Sequence, residues 1–156
     1  MPDAIDRALD LKLWTVLVRA NAAVEAHAYA DLARRQFTPG EFGVLEALYH
    51  KGPMLIGEVQ RRVLKSSGGL SFVLDKLEGR ALIERRPVPD DARARLVLLT
   101  RAGRQLIAAA FPAHAAVISR ALSGLSLEQK EEAVRLLRTL GHAAAALAIE
   151  PPARAS

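Results

Sequence analysis

Two groups of residues have types and spacing suited to holding a nucleic acid. The first is Ser66-Ser67-Gly68-Gly69-Leu70-Ser71-Phe72, followed by Lys76. Small residues at Ser66, Ser67, Gly68 and Ser71 let a helix come close to a groove floor, and backbone N–H groups at a helix start can hold a phosphate. Ser67 and Ser71 can donate to base edges or phosphates, and Lys76 suits the backbone better than a base. Phe72 falls on the polar side of its helix. It either packs on a thymine methyl or is buried under a neighbouring element. The second group is Asp91-Ala92-Arg93-Ala94-Arg95. An arginine on a hairpin tip can enter a narrow minor groove, so Arg93 and Arg95 are read as DNA contacts, the alternative being solvated hairpin charges. Asp91 either orders the turn or pairs with an arginine to orient it. With no arginine or asparagine near the helix start, direct base readout is modest and shape readout contributes.

The stretch from Leu55 to Thr100 must position these groups. Ile56, Val59 and Val63 give a buried stripe on a helix over 54–63, which ends in Arg61 and Arg62, where cations suit the helix dipole and can reach phosphates. Leu70, Val73, Leu74 and Leu77 recur at i, i+3, i+4, i+7, which predicts a second helix from about Ser66 to about Arg80. Leu82–Arg86 reads as a strand, Pro87–Arg93 as a turn rich in breakers and charge, and Arg95–Leu99 as a second strand. Thr100 is the expected N-cap of the next helix. Helix, helix, hairpin is a winged helix-turn-helix, in which one helix enters a major groove while the hairpin reaches beside it.

The wording Gly52-Pro53, Ser66-Ser67-Gly68-Gly69-Leu70-Ser71, Leu77-Glu78, Pro89-Asp90-Asp91-Ala92-Arg93 and Leu99-Thr100-Arg101-Ala102-Gly103 resembles the MarR family of bacterial transcription regulators, in order and along the whole chain. The wing of that family usually reads Asp-Arg-Arg. Here it reads Asp91-Ala92-Arg93, so the first arginine is lost, which lowers DNA affinity or leaves that contact to Arg95. The resemblance implies that Arg93, matching the second arginine, is the one that enters the minor groove. The glycine usual before the wing is Ala81 here.

The chain has 156 residues, 51% of them hydrophobic and 25% charged, which suits one domain with a sizeable core. Its net charge is +5, and eleven Lys and Arg against six Asp and Glu between Pro53 and Arg104 place that whole excess in the winged segment. Clustered charge of this kind is what phosphate contacts need. The chain contains no cysteine, which excludes disulfides, thiolate metal sites and thiol-based redox sensing. The N-terminus Met-Pro-Asp-Ala-Ile-Asp is acidic and reads as no signal peptide. No apolar run approaches the roughly 20 residues that span a bilayer. A cytoplasmic protein without membrane contact is expected. There is no nucleophile with its base, no His pair at i, i+4, no Gly-x-Gly-x-x-Gly and no Walker pattern, so no enzyme, metal or cofactor is expected.

Outside the winged segment the chain reads as helical. Residues 3–35 form one helix of about 48 Å, longer than a small core can cover. It either meets a partner chain or bends around its own domain. Thr38-Pro39-Gly40-Glu41 is a capping box with proline at the first helical position, and Gly52-Pro53 stops the helix it begins. Thr100 opens another helix that Phe111-Pro112 should bend or restart. Ser126-Leu127-Glu128-Gln129 is a second capping box, and the last helix ends at Glu150-Pro151-Pro152. The division expected is a helical dimerisation region over 1–35 and 101–150, a winged region over 38–100 and a frayed tail over 151–156.

The family resemblance also implies a small aromatic ligand between the dimer helices and the winged region, with Trp14, His27, Tyr49, His50, Phe111 and His114 as candidates. Each has a plainer role open to it in the core or at the surface. Leu13-Trp14, Leu48-Tyr49-His50-Lys51-Gly52, Ser66–Gly69 and Phe111-Pro112-Ala113-His114 resemble the subgroup that answers hydroquinone- and catechol-like compounds. Without cysteine, a phenolic or quinone-like effector must act by reversible binding. The sequence therefore reads as a mainly α protein with a small β-hairpin wing: a homodimeric regulator, expected to be a ligand-responsive repressor, that binds double-stranded DNA at a pseudo-palindromic operator. The alternative is a winged helix used only for contact with proteins.

Overall fold

Thr38 and Glu41 close the first capping box reciprocally: Thr38 Oγ1 accepts the Glu41 amide at 3.2 Å, and Glu41 Oε2 accepts the Thr38 amide at 2.8 Å. The helix so begun, α2 (Pro39–Lys51), buries Phe42, Val44, Leu45 and Leu48 at the centre of the protein. The computed structural model describes residues 4–63 and 69–147. The chain divides into two compact units, Met1–Ala121 and Leu122–Ser156.

In the first unit α1 (Ala4–Arg34) precedes α2, followed by β1 (Met54–Leu55), α3 (Ile56–Val63), α4 (Leu70–Gly79), β2 (Ile83–Val88), β3 (Asp91–Leu99) and α5 (Arg101–Ala121). Leu70, Leu74 and Leu77 of α4, Val59 of α3, Ile83 of β2, Val97 of β3 and Ile107 of α5 converge on the α2 residues to form the core. Each such side chain, fully removed from water, contributes about 1.5–3 kcal/mol. The second unit contains α6 (Leu127–Ala146), started by the Ser126–Gln129 capping box, in which Ser126 Oγ accepts the Gln129 amide at 3.2 Å and Gln129 returns the bond at 2.9 Å.

The structure corrects the sequence reading at four places. Met54 and Leu55 are a strand rather than the first turn of a helix; they pair antiparallel with Val97 and Leu96, so the sheet has three strands in the order β1-β3-β2. The wing strands run further than expected, with Pro87 and Val88 in β2 and Asp91 to Arg93 in β3. Only Pro89 and Asp90 lie between the strands, with Asp90 at φ 64°. Pro87 is tolerated because β2 is an edge strand, where a missing donor leaves the inner ladder intact. Third, α5 does not restart at Phe111-Pro112 but runs from Arg101 to Ala121. Proline removes one bond, to the Ala108 carbonyl, but both residues lie on the exposed side of the helix, where solvent can reach, while Gly103, Ile107 and His114 are buried. Fourth, α6 ends at Ala146 with Leu147 extended, before the expected stop at Glu150-Pro151-Pro152. The described part of α4 begins at Leu70, and the expected helix start at Ser66 lies outside the described residues.

The junction between wing and α5 is tight. The Thr100 amide donates to Leu82 O at 3.1 Å, and its hydroxyl donates to Ala81 O at 2.7 Å while accepting the Gly103 amide at 3.0 Å. Thr100 thus caps α5 and ties it to the chain before β2. A Cβ on Gly103 would lie 1.9 Å from Leu82 O, so only glycine lets α5 approach this closely. Ala81 sits at φ 56°, the left-handed region, which explains why glycine suits this position.

Candidate nucleic-acid interface

With Leu70, Leu74 and Leu77 turned into the core, α4 presents Ser71, Phe72, Asp75 and Lys76 outward. Phe72 is 72% exposed, so the reading in which it packs beneath a neighbouring element does not hold in the single chain. Gly69, just before α4, supplies no side-chain cap to it. Ser66, Ser67 and Gly68, expected at this face, lie outside the described residues.

Two ionic contacts fix α4 in place, and sequence reasoning saw neither. Lys76 Nζ lies 2.7 Å from Oε1 of Glu41, whose side chain is 1% exposed. The approach is off the ideal hydrogen-bond direction, so the attraction is ionic in character. Burial pushes the Glu41 carboxyl up; Lys76, the Thr38 amide and Arg80 together overcome that and hold it below the usual carboxylate range. Glu41 was legible only as a capping residue, because its pairing with α4 spans a long stretch of chain with no local signature. Across the helix, Arg85 of β2 donates from Nε to Glu78 Oε2 at 3.0 Å and from its terminal nitrogen to Glu78 and to Asp75 Oδ1, the latter at 2.7 Å. Its amide also donates to Glu78 Oε1 at 3.1 Å. Arg85 thereby holds the Glu78 carboxyl below its ordinary range and joins the wing to α4.

On the wing, Asp91 Oδ1 accepts the amides of Arg93 at 3.0 Å and Ala94 at 3.1 Å. Of the two roles left open for Asp91, the geometry displays the turn-ordering one. Arg93 is exposed, and Arg95 donates to Ala94 O at 2.9 Å. Both arginines face Arg61 of α3 across an open groove of about 350 Å³ that also holds Glu58, whose Oε2 accepts the Leu55 amide at 2.9 Å. The wing arginines and the end of α3 thus line one groove.

The ligand candidates do not gather into one site. Tyr49, His50 and Phe111 form an aromatic cluster, with His50 and Phe111 ring centres 4.6 Å apart and Tyr49 and His50 5.1 Å apart. His114 is buried: its Nδ1 lies 2.9 Å from Asp31 Oδ2, and its ring lies 4.7 Å from that of Phe42. Arg35, against the opposing effect of burial and with help from His114 and Arg34, draws Asp31 down from 3.8 to about 2. Asp31 is therefore ionised and Nδ1 donates. His114 and Phe111 share an open cleft of about 450 Å³ with Glu46 and Ile118. Trp14 is 65% exposed on α1 among Leu17, Val18 and Asn21, and His27 is exposed further along that helix. Among the described residues no group of His, Asp and Glu could hold a metal ion, and no helix is long and apolar enough to cross a membrane.

Residues 35–94 match the model of the MarR family. The chain is 35% identical over 139 residues to the HTH-type transcriptional regulator YkoM of Bacillus subtilis, covering 89% of each chain. It is 37% identical over 131 residues to the HTH-type transcriptional regulator MhqR of the same organism, covering 84% of this chain and 90% of that one. Among solved structures, Bordetella bronchiseptica BpsR, described for regulation of its DNA binding by 6-hydroxynicotinic acid, superposes with a TM-score of 0.75 at 25% identity, covering 83% of this chain and 98% of that one. With its winged helix-turn-helix and these two Bacillus subtilis relatives, both named as transcriptional regulators, the chain belongs to the MarR family of DNA-binding transcription regulators.

Proposed function

We propose that the chain is a homodimeric, sequence-specific repressor that binds a pseudo-palindromic operator in the bacterial cytoplasm and releases it on binding a small phenolic or quinone-like effector. The observation that carries the DNA half is the joining of α4 to the wing through Arg85, with Ser71 and Phe72 outward on one element and Arg93 and Arg95 on the other. Held as one body, helix and wing can engage a major groove and the adjacent minor groove together. Dimerisation is supported by the apolar residues that α1 leaves exposed, including Leu9, Leu13, Trp14, Val16 and Val18, and by Leu127, Val134, Leu137 and Leu140 on α6. A two-fold axis then sets two α4 helices roughly 34–36 Å apart, one turn of DNA.

Effector binding is supported by the Tyr49–His50–Phe111 cluster and by BpsR, whose DNA binding a hydroxylated aromatic acid regulates. Ligand seated there changes the angle between terminal helices and winged region, so both helices no longer fit their grooves at once. Ligand and DNA then oppose each other reciprocally, with coupling of about 1–3 kcal/mol. Fluorescence anisotropy on DNA from upstream of the protein's own gene, against scrambled DNA at several salt concentrations, tests the first half. Tight, sequence-dependent binding with a steep salt slope supports it; equal, weak binding on both sequences refutes operator recognition there. A phenolic panel added to the complex tests the second half, which fails if saturating compounds leave affinity unchanged.

A further inference from the structure

We infer that Phe72 reads the 5-methyl group of a thymine in the operator and is a determinant of this protein's sequence specificity, an inference that rests on the DNA-binding reading above. The argument begins with what α4 cannot use. Its described outward residues are Ser71, Phe72, Asp75, Lys76 and Gly79. The two charged ones are engaged: Lys76 with buried Glu41 at 2.7 Å, and Asp75 with Arg85 at 2.7 Å. Breaking the first leaves a carboxylate buried without its partner, which is costly. The strong hydrogen-bonding base readers, arginine, asparagine and glutamine, do not occur in α4.

What remains prominent is the phenyl ring. Phe72 lies two residues from buried Leu74, about 200° around the helix, and so points away from the core. At 72% exposed it stands outside the core of the described residues. The outward face of a helix held beside a cationic wing is the face that meets a major groove, and the one apolar feature a base edge displays there is the thymine methyl. Ring and methyl leave water together, whereas a ring set against cytosine N4 or adenine N6 desolvates a polar group without pairing it. An operator bound by this chain therefore carries a thymine facing Phe72 in each half-site.

The test begins by selecting the preferred site from a random duplex pool with the full-length protein. Each thymine of the selected site is then replaced by deoxyuridine, which removes the methyl and keeps every hydrogen-bonding group. The wild type should lose about fourfold in affinity at one thymine per half-site, the worth of one buried methyl. Phe72→Ala, which should unfold at the same temperature as the wild type, should bind the thymine and uracil duplexes equally; Phe72→Leu should keep part of the discrimination. Wild type indifferent to uracil at every position, or Phe72→Ala retaining the full thymine preference, overturns the inference while leaving DNA recognition standing. A selection that enriches no site removes the reading on which it rests.

Discussion

Lys76, on the helix proposed to face DNA, is held 2.7 Å from Glu41, a carboxylate sealed beneath it. The lysine is half in water and the glutamate is not, so removing either partner has unequal effects. Lys76→Ala leaves a buried charge unpaired and should cost about 3 kcal/mol or more of stability. Glu41→Gln keeps an acceptor for the Thr38 amide and lets the ammonium return to solvent, so it should cost less, about 1–2 kcal/mol. It also releases a cation toward DNA, and the salt slope of non-specific binding should steepen by up to about one phosphate contact. Urea unfolding and salt titrations of both variants check this; equal stability losses would show that the burial of Glu41 is not what matters.

Arg93 and Asp91 separate charge from order on the wing. Arg93→Ala should leave the unfolding temperature unchanged, because the side chain is exposed, and weaken specific DNA binding by roughly 1–3 kcal/mol. Asp91→Ala makes the wing more positive but removes the acceptor for the Arg93 and Ala94 amides. Specific affinity should fall while non-specific affinity holds or rises. Anisotropy on operator and scrambled DNA distinguishes the two variants; a gain in specific affinity for Asp91→Ala would mean that the turn needs no ordering.

Asp31 predicts acid sensitivity. Its carboxyl titrates lower folded, at about 2, than its ordinary 3.8, so the charged form is favoured by folding. Its stabilisation is complete above about pH 4 and is lost as pH falls through that window, worth roughly 2 kcal/mol in all. Unfolding midpoints at pH 6, 4 and 2.5 should show a drop that Asp31→Asn flattens. Parallel curves for wild type and variant would remove Asp31 as the source.

Ala81 and Gly103 should respond in opposite directions. Ala81→Gly relieves a left-handed alanine and should stabilise the protein by about 0.5–1 kcal/mol after the extra freedom of the unfolded chain is counted. Gly103→Ala drives a methyl into the Leu82 carbonyl and should cost about 3 kcal/mol or more, since backbone on both sides must move. Calorimetry of the pair gives the answer; a tolerated Gly103→Ala would mean that α5 can draw back from the wing.

Elements governed by neighbouring residues were legible in the sequence. The capping boxes at Thr38 and Ser126, the stripe at Leu70, Leu74 and Leu77, and the cap at Thr100 each follow rules that operate within one or two turns. Features that need a distant partner were not. Two residues, Met54 and Leu55, carry no strand signal and become one only because Val97 and Leu96 offer an open ladder. Pro87 looks like a breaker until the sheet order makes β2 an edge. The same division runs through the site. Phe72 and the wing arginines stand out by type and spacing, whereas Glu41 and Arg85 position α4 through contacts that no local pattern encodes. Trp14 and His114 share an aromatic composition but fall on different surfaces, one open on α1 and one locked to Asp31.

Phe72 takes no part in the core, while Leu70, Leu74 and Leu77 on the same helix supply the packing. At Phe72 and Ser71 the outward face of α4 is independent of the packing that folds the chain, whereas at Lys76 it is tied to buried Glu41. Substitutions at exposed Phe72 and Ser71 should change stability by no more than about 0.5 kcal/mol, so with the DNA-binding role proposed for this face a duplicated gene could drift toward a new operator one codon at a time while its scaffold stays intact. Regulators built this way can diversify their targets faster than their folds.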